Sequence, residues 1–412
     1  MTSFLLALRS SPLRWLLVPL VALDLTLILV RDDYWHGLWG DTGAAGQVPT
    51  LFLGVFAAAA AAWTSSLRRP PEVAETLSAM PRPGPQAELP RIAVVLCAFL
   101  VPYLAGQAVC FAVTAPSWPP GFTQYLGYLL LGVSSLLTAT GLGWVIGRLL
   151  SRRWGPAAGA LGWLLINLAF DSDLSVVNGP ARMQPDLLEI SLRAAAALLL
   201  LVACLWLPYG PRITRVSPLS GLAVVLALAA TAAAAANPVI DERHGSGSKT
   251  CVKGRIAICL WPEEEKYEPM AQDVLARTEH LPRVLAMPKA VHSLGLVYMD
   301  RGWGGDFDLD SGSVWAMADG VTMAISAQTF ANCGRQGREA LWKADDQSVL
   351  ALERWLEKRL AGGGEPEYVE EGMTASMAKA VETGKEMADR PEAEQSAWAT
   401  ETVRHVLDTY CD

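Results

Sequence analysis

Hydrophobic and polar positions divide this chain in two. Up to about residue 240, apolar residues run in long blocks broken by short polar segments; beyond it they alternate with charged residues at helical or strand spacing. A bilayer core of roughly 30 Å takes about 20 apolar residues of helix. Seven blocks meet or approach that length, and they predict spans over approximately 14–30, 49–66, 92–113, 123–147, 156–170, 191–208 and 218–237. The fifth is short, though Trp163 and Phe170 lend it apolar bulk, and the alanine-rich seventh is the weakest of the set. The first ends at Val30-Arg31-Asp32-Asp33 without the small-x-small site of a cleaved leader, so it reads as a retained span.

Past residue 240 the pattern changes to short elements. RIAICLWP is strand-like, and Tyr267, Met270, Val274, Leu275, Leu281, Val284 and Leu285 form a helical stripe with acids in its first turn. SLGLVYM and VTMAIS predict strands; 338–361 predicts a helix that stops at Gly362-Gly363-Gly364, and two more helices follow near 367–388 and 391–410. The predicted architecture is a membrane helical bundle of about seven transmembrane helices, residues 1–240, followed by a soluble α+β domain, residues 241–412.

Charge sharpens the division. Of the 412 residues only 18% are charged, against about 25% in soluble proteins. Residues 1–240 carry 14 bases and 11 acids; residues 241–412 carry 19 bases and 30 acids, and all eight lysines. That rules out a single soluble domain, a disordered chain and a nucleic-acid binder, which needs a basic face. With the N-terminus inside, Arg9, Arg14, Arg68, Arg69, Arg82, Arg91, Arg148, Arg152, Arg153, Arg212 and Arg215 fall on the inner side, and the outer loops 31–48, 114–122 and 171–190 hold Arg31 and Arg182. The positive-inside bias therefore predicts a plasma-membrane protein with its C-terminal domain extracellular.

Cysteine usage points the same way. Cys97, Cys110 and Cys204 lie in spans, and Cys251, Cys259, Cys333 and Cys411 all lie in the tail. Four cysteines in an extracellular domain predict two disulfides. Three pairings exist; Cys251–Cys259 closing a hairpin and Cys333–Cys411 tying down the C-terminus is preferred.

Candidate chemistry is sparse. Asp24 is an acid inside a span, where it costs a few kcal/mol and faces a cavity or a partner. Gln107 and Asn167 are milder intramembrane polar positions, and five glycines between 127 and 147 permit close helix packing. GSGSKT at 245–250 departs from a phosphate loop and reads as a linker. GGDFDLDSG lacks the sixth-position glycine and twelfth-position glutamate of a calcium loop, and HExxH and GxSxG are missing from the chain. The chain is read as a non-enzyme with no cofactor.

The inner edges carry a layout. SFLLALRSSPLRW predicts a short interfacial helix before the first span, and EVAETLSAM a helix in the first inner loop. With LRSSPLRWLLVPLVAL, DDYWHGLWG and ETLSAMPRP, this resembles type-2 ABC exporter permeases, in particular permease-like proteins of actinobacteria, over residues 1–215. The resemblance implies a cytoplasmic ABC ATPase partner contacting residues 3–13 and 72–80, with Leu8, Arg9, Glu72, Glu75 and Leu77 as coupling residues. It also implies a homo- or heterodimer of membrane subunits enclosing a path for outward movement of substrate. The seventh span and the tail depart from the six-span plan. They leave open a non-transporting, membrane-anchored protein whose outer domain binds a cell-surface partner.

Overall fold

The computed structural model describes residues 8–9, 11–31, 33–66, 84–150, 152–169, 179–207, 218–243, 249–296, 306–309, 312–333, 347–364 and 373–411. The chain forms two compact units. The first comprises Met1–Gly179 and Met183–Asp241, the second Pro180–Arg182 and Glu242–Asp412.

The first unit is helical. A 3-10 turn, Pro12–Leu16, has its N-terminal amide of Leu13 capped by Ser11 Oγ and leads into α1, Leu17–Leu29. Then come α2 (Trp39–Gln47), α3 (Thr50–Ser65), α4 (Gly84–Thr114), α5 (Phe122–Leu149), α6 (Gly155–Ala169), α7 (Leu187–Leu205) and α8 (Pro218–Ala236). Each of the seven apolar blocks is helical over most of its described residues. Among the described residues five stretches, Pro12–Leu29, Trp39–Ser65, Glu88–Thr114, Phe122–Leu149 and Leu187–Leu205, are long and apolar enough to cross a membrane. The chain is a helical membrane protein in that sense. Gly155–Ala169 and Gly221–Ala236 are apolar but shorter. A short ribbon pairs β1 (Met183–Pro185) with β2 (Ile240–Glu242).

In hydrocarbon, helices gain nothing from excluding water between them, so close backbone approach does the packing. Gly143 and Gly147 of α5 press on the carbonyls of Ala58 and Ala62 of α3, and Gly159 of α6 sits 2.8 Å, measured from where a Cβ would be, from the same Ala58 carbonyl. Outside, Leu161, Leu165, Leu168, Leu198, Leu199 and Leu226 are exposed, as a lipid-facing surface requires.

One expectation changes here. Residues 31–48 read as an outer loop, yet Trp39–Gln47 is a helix whose nine residues are all buried. Its sequence, WGDTGAAGQ, is too polar to register as an apolar block. Small residues on several faces let it lie against other helices: Gly43 meets Tyr128 of α5, and Gly46 meets the Gln107 amide of α4.

The second unit is built on a four-stranded sheet in the order β3-β4-β5-β6, comprising Thr250–Lys253, Ala257–Leu260, Ala290–Ser293 and Asp306–Phe307. β3 and β4 are antiparallel; β4, β5 and β6 are parallel, with α9 (Glu268–Thr278) in the first crossover. α10 (Val314–Thr329), α11 (Ser348–Ala361), α12 (Ala375–Ala388) and α13 (Glu392–Tyr410) complete it. VTMAIS, expected as a strand, lies inside α10, whose buried Met317, Ala318, Val321, Ala324 and Ile325 recur at helical spacing. Ser313 caps its start, accepting from the Trp315 amide. Cys251 and Cys259 are register partners across β3 and β4 and form a disulfide, and Cys333 pairs with Cys411.

Candidate functional site in the helical unit

Asp24 projects from α1 onto α4. It is fully buried, and its carboxylate touches Gly106 so closely that a Cβ there would overlap Oδ2. Neither oxygen has a hydrogen-bond partner among the described residues. One turn on, Ile28 packs with Ala45 of α2 and Cys110 of α4, which fixes this face of α1 against the bundle.

Gln107, the next residue of α4, begins a polar seam. Its Nε2 donates to Tyr103 Oη at 3.0 Å, and Tyr103 Oη donates to the Leu129 carbonyl at 3.0 Å. Tyr125 Oη donates to the Gln107 carbonyl at 3.0 Å. Gln107 Oε1, Gln124 Oε1 and Tyr128 Oη are buried without partners among the described residues. α2 extends the seam: Thr42 and Thr114 hydroxyls lie 2.7 Å apart, Thr42 donates to the Trp35 carbonyl, and Asp41 Oδ1 accepts the Gly179 amide at 3.0 Å. The structure thus brings Asp24 and Gln107 to adjoining positions. Asn167 stands apart: its Nδ2 donates to the Trp163 carbonyl of its own helix, a purely local bond.

Two charged features escaped the sequence. Glu88 of α4 and Arg148 of α5 form an ion pair at 2.7 Å with both side chains 2% exposed, and Arg91 joins it at 3.4 Å. Sixty positions separate Glu88 from Arg148, so no local pattern announces the pair. Arg193 of α7 donates to the carbonyls of Ala234, Ala235 and Asn237 at the end of α8. It neutralises the negative pole of that helix and supplies donors to carbonyls that have no partner within it.

Of the coupling candidates, Leu8 packs on the apolar core and Arg9 is exposed, its carbonyl accepting from Arg14 at 2.7 Å. Glu72, Glu75 and Leu77 lie outside the described residues.

In the second unit, ionisable groups gather where the parallel strands end. Glu264 accepts the Trp261 amide and the Ser293 hydroxyl, both at 3.0 Å, and burial pushes its carboxyl up to about 7. Arg243 pairs with Glu263 at 2.8 Å and lies over the Trp261 ring; Arg182 pairs with Asp308. Asp308, from the acidic turn, is therefore committed to an arginine. Asp306 faces His292 across the register, and burial raises the acid and lowers the imidazole. Among the described residues no group of three His, Cys, Asp or Glu is placed to hold a metal.

Compared with protein-family models, curated proteins and solved structures, the chain matches none of them.

Proposed function

We propose that this chain is the membrane subunit of an export system driven by a separate cytoplasmic ATPase. The N-terminus is inside in this reading and the disulfide-bonded unit is outside. The observation that carries it is the set of buried polar side chains among these helices: Asp24 against Gly106, the bonded group of Gln107, Tyr103 and Tyr125, and Thr42 with Thr114. An anchor needs only an apolar exterior, and a polar interior costs it stability because no water is available to satisfy it. An acid held there without a partner is a group awaiting one.

Movement of substrate outward would then separate α1 from α4 at Gly106 and give Asp24 a polar partner in one of two states. Two membrane subunits, identical or related, would enclose the path. The ATPase pair would push on residues 3–13 and 72–80.

The test is purification of the tagged protein in mild detergent, with mass spectrometry of its companions. A stoichiometric ATPase whose turnover falls when residues 72–80 are altered supports the reading. Recovery of envelope or surface proteins and no ATPase overturns it in favour of a membrane-anchored interaction protein.

A further inference from the structure

The helical unit has a second feature that the seam does not use. A cavity of about 260 Å³ lies among α5, α6, α7 and α8, walled by Ser135, Thr138 and Leu142 of α5, Arg193 and Leu200 of α7, and Thr231 of α8. An apolar cavity of about 150 Å³ in a protein stays dry and admits benzene, so this one has room for a longer alkyl segment. Ala232, also at its wall, is exposed, which opens the cavity sideways along α8.

The walls suit an alkyl chain. Thr138 donates to the Ser134 carbonyl and Thr231 to the Ala227 carbonyl, each at 2.8 Å within its own helix. An occupant that offers no polar atoms therefore leaves those two hydroxyl hydrogens satisfied.

Charge is distributed along the cavity's length. At 1.5 Å per residue, Arg193 lies about 9 Å from the start of α7, while Leu200 lies about 20 Å in. Thr231 is about 8 Å from the end of α8, the same end that Arg193 caps. Among the described lining residues Arg193 is the charged one, and it sits nearer the start of α7 than Leu200 does. Its positive charge attracts an anion at the adjacent interface even though its donors serve α8.

We propose that this cavity holds one acyl chain of an anionic membrane phospholipid, with the headgroup at the Arg193 end and the chain running toward Leu142 and Leu200. The proposal is independent of transport, because it needs no ATPase and no substrate.

The test is native mass spectrometry of the full-length protein in mild detergent, titrated with phosphatidylglycerol and phosphatidylcholine of identical chains. One phosphatidylglycerol should be retained per chain, favoured about fivefold, the effect of one basic side chain near an anionic surface. Ser135→Leu with Thr231→Leu fills the cavity and should lose that lipid with the thermal midpoint kept. Should that pair fail to fold, Ala232→Trp closes the mouth and should give the same loss. Arg193→Gln should erase the headgroup preference and Arg193→Lys should keep it. Equal retention of the two lipids by the unaltered protein, or undiminished retention after the cavity is filled or its mouth closed, overturns the proposal.

Discussion

Gly143 of α5 lies directly against the backbone carbonyl of Ala58 of α3, with no space between them for a Cβ. Gly143→Ala must therefore push two helices apart. Overpacking of this kind costs about 1–3 kcal/mol, and the thermal midpoint in detergent should fall. Gly162→Ala is the control, since its new methyl would meet only side-chain tips, Ile146 at 3.2 Å and Leu142 at 4.0 Å. That variant should be neutral or stabilising by up to about 1 kcal/mol through helix propensity. Equal losses in both would mean that the α3–α5 approach is not special.

For Asp24, the expected result separates folding from action. Asp24→Asn keeps the volume and removes the charge, so the elution profile and thermal midpoint should stay as they were while ATP-dependent efflux is lost. Gly106→Ala should displace the carboxylate and reduce both. Efflux that survives Asp24→Asn would leave Asp24 as a packing residue.

The Glu88–Arg148 pair predicts a sign reversal. Removing one member strands a buried charge, so Glu88→Leu should destabilise by about 3–5 kcal/mol. Adding Arg148→Met to Glu88→Leu should recover most of that loss, because a buried ion pair is often no better than an apolar one of similar volume. Chemical unfolding of the four corners of this cycle gives the coupling directly.

The two disulfides should contribute unequally. They close separations of 8 and 78 residues. On the chain-entropy account the longer loop is worth about 2 kcal/mol more, so Cys333→Ala with Cys411→Ala should lower stability further than the Cys251–Cys259 double alanine. In intact cells a membrane-impermeant maleimide should label none of the four until a reductant is added. Labelling without reductant would place at least one of them as a free, accessible thiol.

Stability of the second unit should fall as pH rises from about 4.5 toward 7. Glu264 and Glu353 are both raised by burial to about 7 from 4.5. A carboxyl that holds its proton more firmly folded than unfolded favours the fold below about 4.5, and that contribution is lost between 4.5 and 7. Ser293 and Ser326 donate to these two acids, at 3.0 and 2.7 Å. Glu264→Gln mimics the protonated form and should flatten the slope in that window. An unchanged profile would show that Glu264 is ionised in the folded protein at lower pH than its burial implies.

Much of the helical architecture was legible because a hydrocarbon-spanning helix must be apolar over most of its length, whatever it packs against. The cysteine pairing was legible too, since a separation of eight around a turn brings two strand residues into register. What stayed hidden is polar structure satisfied by distant parts of the chain. WGDTGAAGQ is hydropathically a loop, and contacts with distant residues, among them Tyr128 and Gln107, make it a buried helix. VTMAIS is β-branched enough to read as a strand, yet the Ser313 cap and the apolar spacing of Met317, Val321 and Ile325 carry it into a helix. Asp24 could be singled out from sequence, as an acid between leucines. Its neighbour Gly106 could not, because a glycine's contact is visible only from the other side.

The second unit is not a contiguous piece of chain. Ala181 packs with Cys259, Trp261 and Leu296, its carbonyl accepts from Arg243, and Arg182 matches Asp308. These three residues, Pro180–Arg182, are borrowed from a segment sixty positions upstream of the rest. A scissor cut at residue 241 would therefore release a fragment with an open seat beside Trp261 and without the Arg182 partner of Asp308. A soluble version of this unit calls for a graft rather than a truncation, with the Pro-Ala-Arg tripeptide supplied again at its rim.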